Sequence, residues 1–155
     1  MLGWLLSLLA FGVGGSLTAK FAHQKLRSLF LPRHAAPVPA DILIGNVESA
    51  DTSGEIVAKA GTGLEVNGWA AFTRKSPIRQ LDVLIDGKLM ATIERLTLRP
   101  DVAEAYGRAD FELSGWQAAV ALEEVSAGRH ALMIHATAVN GQSARLRPVI
   151  LVVHP

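Results

Sequence analysis

The first nineteen residues, MLGWLLSLLAFGVGGSLTA, carry no charged side chain, and no other feature constrains the chain more. As a helix this run would span about 28 Å at 1.5 Å per residue, close to the roughly 30 Å of bilayer hydrocarbon. Trp4 stands where an interfacial aromatic belongs. Lys20, Lys25, Arg27 and Arg33 follow, with His23 and His34 among them. A cleaved signal peptide puts its cations ahead of the apolar run, whereas here they come after it. A buried helix of a soluble domain is the other possibility, but no polar face shows before Lys20. A single transmembrane anchor fits best, with the other two readings kept as weaker alternatives. Because positive flanks stay cytoplasmic, the expected location is a bacterial inner membrane with the remaining chain in the cytoplasm. A periplasmic placement, common for β-rich domains behind an anchor, is the alternative.

Small residues recur four apart in the run: Ala10 and Gly14, Gly12 and Ser16, Gly15 and Ala19. Such pairs let a second helix approach closely, so an integral membrane partner is expected there. Residues 20–31, KFAHQKLRSLFL, extend the anchor as a basic amphipathic helix. Lys20, Lys25 and Arg27 are placed to reach lipid headgroups. Pro32 ends the helix, and PRHAAPVPAD continues as a stiff, extended segment. The predicted organisation is an anchor with its basic extension over 1–31, a Pro-rich linker over 32–40 and a domain over 41–155.

Charge divides at the same place. Residues 1–39 hold four cations and no acid, while the rest holds 11 basic and 14 acidic residues, giving +4, −3 and a net +1. That balance excludes the broad basic footprint of a nucleic-acid binder. The absence of cysteine excludes a disulfide scaffold, a thiolate metal site and a cysteine nucleophile.

Beyond residue 40 the apolar period becomes two. Leu81, Val83 and Ile85 alternate with polar residues before Asp86-Gly87, and Leu89, Ala91 and Ile93 alternate after it. A three-residue loop, Asp86-Gly87-Lys88, would pair Ile85 with Leu89, Val83 with Ala91 and Leu81 with Ile93 on one inward face. A second hairpin is expected at Asn140-Gly141-Gln142, aligning Ala138 with Ala144 and Ala136 with Leu146. Its return strand would run inward at Ala144, Leu146, Pro148, Ile150 and Val152, at a sheet edge or with a bulge at Pro148. Further strands are expected over 41–48, 55–60, 63–72 and 110–120, with 99–107 as a short helical crossing or loop. Seven or eight short strands without intervening amphipathic helices predict an all-β antiparallel sandwich behind one N-terminal transmembrane helix.

Particular strings carry a family likeness. Gly68-Trp69-Ala70, Asp86-Gly87, Arg99-Pro100-Asp101-Val102, Ser114-Gly115-Trp116 and Gly128-Arg129-His130 occur in that order. Together they resemble a bacterial immunoglobulin-like β-sandwich accessory domain found appended to glycosyltransferases and envelope-polysaccharide proteins. The resemblance covers roughly 110 residues. Trp116 stands where that family more often has phenylalanine. The motifs are turns and core positions, so they imply a fold rather than an activity.

Little in the sequence suggests catalysis. No nucleophile elbow, phosphate-cradling loop or zinc-protease motif is present. His130 and His135 fall on opposite faces of one strand, and Glu123-Glu124 reads as a solvated loop. No cofactor or metal site is expected. Trp69 and Trp116 read first as sandwich core, with Trp116 as a candidate sugar-stacking surface because glycine beside it would expose its flank. Arg99 and Asp101 are expected to pair, fixing the crossing, and with Tyr106 they are candidate ligand or docking residues. Leu96, Leu98 and Val102 would complete such a surface. The expected function is a non-enzymatic accessory or scaffold subunit docking on a larger membrane complex. The alternative is a membrane-tethered carbohydrate-binding module serving a glycosyltransferase or polysaccharide system.

Overall fold

The computed structural model describes residues 41–155. The expected anchor, its expected packing positions Ala10, Gly12, Gly14, Gly15, Ser16 and Ala19, the expected headgroup contacts Lys20, Lys25 and Arg27, and the expected linker lie outside the described residues. Within 41–155, no helix is long and apolar enough to cross a membrane.

The strands are β1 (Leu43–Val47), β2 (Glu55–Lys59), β3 (Gly63–Phe72), β4 (Ile78–Ile85), β5 (Lys88–Ile93), β6 (Thr97–Leu98), β7 (Leu113–Ala121), β8 (Gly128–Ala138), β9 (Ser143–Arg145) and β10 (Val149–His154). Helix α1 (Pro100–Tyr106) and a 3-10 turn (Ala109–Phe111) separate β6 from β7. One sheet runs β1-β3-β7-β6, the other β2-β10-β8-β4-β5, with β9 paired to β8. All pairs are antiparallel except β2 with β10. This is an immunoglobulin-type sandwich: the first, second, fifth and fourth strands of that pattern form one sheet and the third, sixth and seventh the other. The inner faces meet in one core around Phe72, Leu81, Trp116, Val120, Leu132 and Leu151.

The strand count exceeds seven or eight because β6 is only two residues long and the expected last strand is broken in two. That break corrects its phase. Leu146 donates to Ile134 O, whereas Val149 stands opposite Leu132, so one extra residue is accommodated around Arg147-Pro148. Leu151 and Val153 therefore point inward, and Ile150 points out. The bulge expected at Pro148 is present; the edge position is not, since β10 lies between β2 and β8.

Both hairpins also depart in detail. Leu81 pairs with Ile93 and Val83 with Ala91 as expected, but Leu84 pairs with Leu89 and Ile85 with Lys88. The turn is thus the two-residue Asp86-Gly87, with φ of 50° and 83°, the signature of a type I′ turn. A bulge at Met90 absorbs the odd residue and turns Leu89 outward, where it is 56% exposed. In the second hairpin the loop is Val139–Gly141, closed by Ala138 N–H donating to Gln142 O. Ala136 then faces Ala144, two residues from the expected register but on the same face.

Candidate docking surface

In β3, Val66, Gly68, Ala70 and Phe72 turn into the core. Trp69 and Ala71 consequently face outward, where α1 covers them. Pro100 begins α1 with its φ preset, and Asp101 favours the first turn electrostatically. Gly107 ends it in the left-handed conformation at φ 61°, while the Gly107 and Arg108 amides donate to the Glu104 and Ala103 carbonyls. Val102 and Phe111 reach down onto Ala71, with Ile44 and Trp69 beside them, making a second apolar cluster. Tyr106 bridges its rings: centroids lie 5.3 Å from Trp69 and 5.5 Å from Phe111, both tilted. Arg108 closes one side, its guanidinium carbon 4.3 Å from the Phe111 ring centre and its Nη1 donating to Thr73 O at 2.9 Å.

Arg99 is the polar centre of this face. Its guanidinium forks onto Asp101 at 2.9 and 2.7 Å and onto Glu48 at 2.9 and 2.8 Å. It thereby ties the end of β1 to the start of α1. The hydrogen bonds it donates to Asp101 and Glu48 hold the guanidinium pKa above its ordinary value. The Arg99 hydrogen bond lowers the Asp101 carboxyl to about 2. The expected Arg99–Asp101 pair is therefore present. Glu48 was not anticipated, because it lies 51 residues away and no local pattern announces it.

Of the expected docking residues, Arg99, Asp101 and Tyr106 gather here, with Tyr106 51% exposed. Leu98 and Leu113 oppose each other across β6 and β7 and are also exposed, at 66% and 57%. Val102 is buried beneath α1 and does not contribute surface. Trp116 is a correction: it is only 2% exposed, in the core, and cannot offer a flat face to a sugar ring. Gly115 does not open its flank either. A side chain there would collide with Thr97 and come within 2.8 Å of Arg99 Cγ, so this glycine admits β6 and the Arg99 stem. Trp69 is a second correction, since it belongs to the outer cluster rather than to the sandwich core.

The remaining polar candidates have structural partners. His130 Nδ1 lies 2.7 Å from Asp86 Oδ2 and Nε2 lies 2.8 Å from Ser126 O. Both partners are acceptors, so the ring can donate to both when it is protonated, and the Asp86 hydrogen bond raises its pKa. Glu124 pairs with Lys88. Ser114 is fully buried, and neither its Oγ nor Trp116 Nε1 meets a hydrogen-bond partner among the described residues. No group of three or more His, Asp or Glu among the described residues is placed to hold a metal ion.

No protein-family model matches this chain, and no curated protein does. Among solved structures, one described as Clostridium thermocellum CbhA fibronectin(III)-like modules is similar at 11% identity and a TM-score of 0.46. The similarity covers 74% of this chain and 46% of that one, so this chain spans about half of its length.

Proposed function

We propose that this chain is a non-catalytic, single-pass membrane protein whose sandwich serves as an accessory subunit of a larger membrane complex. The observation that carries the reading is the α1 face: exposed Tyr106, Leu98 and Leu113 around an Arg99 held by two carboxylates. A presented apolar surface on a fixed support suits protein contact, because little side-chain entropy remains to be lost on binding. The uncharged leader and the absence of any nucleophile–base motif in the sequence support the same reading.

The test is to purify the full chain from its source membranes in mild detergent and identify what co-elutes stoichiometrically. Tyr106→Ser and Leu98→Glu should release that partner while leaving the circular dichroism of the sandwich unchanged. A monodisperse, partner-free chain, or a partner indifferent to both substitutions, rejects the docking face. The carbohydrate-binding alternative has lost Trp116 as its platform. A groove of about 610 Å³ lined by residues 91–95 of the β5 end and 117–119 of β7 contains no aromatic ring to replace it.

A further inference from the structure

The geometry points to a second contact: the end of the sandwich at which the chain enters rests on an anionic lipid surface through Ile42, Val139, Arg74 and Lys75. This rests on the anchored reading above and adds an orientation to it.

Three segments form that end. Asp41 is buried, and its Oδ1 accepts the Arg74 N–H at 2.7 Å and the Thr73 hydroxyl at 3.1 Å. Its carbonyl accepts Gln142 Nε2 at 3.4 Å. Val139 N–H donates to Pro77 O at 2.9 Å. The start of the domain, the β3–β4 loop and the β8–β9 loop are thereby tied together. Ile42 and Val139 are nevertheless each 64% exposed, which the core of a sandwich this size does not require. Arg74 and Lys75 are exposed between them, and Lys75 sits at φ 66° in the left-handed region, where a lysine has no intrinsic reason to be. Among the described residues, neither forms a salt bridge. The nearby Asp110 is occupied by Arg108.

At the opposite end Asp86, Glu123 and Glu124 occupy the turns, Lys88 is taken up by Glu124, Arg129 by Glu55 and His130 faces Asp86, and Lys59 closes β2. Residues 40–155 carry −3 in total and would be repelled by an anionic surface in most orientations. The end that presents Arg74 and Lys75 without salt-bridge partners among the described residues is the one suited to approach it, and Ile42 and Val139 are exposed there. A linker of about eight residues reaches at most roughly 28 Å, so a domain held behind a bilayer anchor remains within reach of the headgroups. Basic residues at a surface attract anionic lipid, and exposed aliphatic side chains enter the interfacial layer.

The absence of cysteine makes the test direct. The full chain, carrying either Val139→Cys or Glu123→Cys with a fluorophore, is reconstituted in phosphatidylcholine–phosphatidylglycerol nanodiscs containing nitroxide headgroup lipid. Quenching at position 139 should exceed that at 123 by about fivefold, and fall to parity in pure phosphatidylcholine or with Arg74→Glu plus Lys75→Glu. Equal quenching at both positions in a chain that resists alkaline extraction overturns the docking and leaves the anchor standing. Undiminished quenching after charge reversal overturns the assignment to anionic lipid. Release of the chain by alkaline extraction overturns the anchor, and the docking with it.

Discussion

Trp69 stands opposite Gly115 and Trp116 opposite Gly68, on opposite faces of one sheet; the Trp116 indole lies over Gly68, whereas Thr97 and the Arg99 stem lie over Gly115. The inner pair is sealed: Trp116 is 2% exposed, and a side chain at Gly68 would collide with the Asn46 carbonyl and reach within 2.8 Å of Trp116 Cζ2. The outer pair is only half covered, by a seven-residue helix held down by Arg99. The same cross-strand arrangement thus yields a structural core on one side and a presented surface on the other. What differs is the cover: a second sheet inside, one short helix outside.

Substitutions should separate the two. Trp116→Ala should lower unfolding stability most, by about 3–5 kcal/mol in denaturant titration, because a large buried ring leaves a cavity. Trp116→Phe should cost much less, since it fills most of that space and removes an indole N–H that has no partner among the described residues. Gly68→Ala should follow at about 1–3 kcal/mol, the usual range for overpacking. On the outer face, Arg99→Met should cost about 1–2 kcal/mol by leaving two carboxylates without their cation. Tyr106→Ser should change stability least, by about 0.5–1 kcal/mol, while abolishing partner binding. Equal costs at Trp116 and Tyr106 would erase the distinction between core and presented face.

Acid sharpens the same contrast. The Asp101 carboxyl is held at about 2, below its ordinary 3.8, by Arg99. A depressed carboxylate stabilises the fold above its unfolded pKa, and that contribution disappears as pH falls from about 4 through about 2. Wild-type protein should therefore lose more stability over this window than Arg99→Met, whereas Trp116→Phe should keep the wild-type slope.

Inward and outward positions were legible wherever strand parity ran unbroken, as at Leu81, Val83 and Ile85 or Leu132, Ile134 and Ala136. Legibility failed where one residue was absorbed. Met90 turned Leu89 outward, and the bulge by Pro148 exchanged Ile150 and Val152 for Leu151 and Val153. A bulge changes parity without changing composition, so alternation alone cannot locate it. The site divides in the same way. Arg99 and Asp101 are two residues apart, and their pairing is local. Glu48, Trp69 and Phe111 join them only after three strands are assembled, and Trp69 read as core because a large aromatic in an alternating strand gives no sign of which sheet face will be covered by a helix.

The position of β10 has a consequence for how the sandwich is made. It runs between β2 and β8, contacting a segment completed nearly a hundred residues earlier on one side and its recent neighbour on the other. Until residues 149–154 have left the ribosome, Ile56 and Val57 have no hydrogen-bonded neighbour on that side, and β2 waits as an open edge. Assembly of this sheet therefore waits for residues 149–154, and a nascent chain stalled before Val149 should be bound by holding chaperones rather than folded.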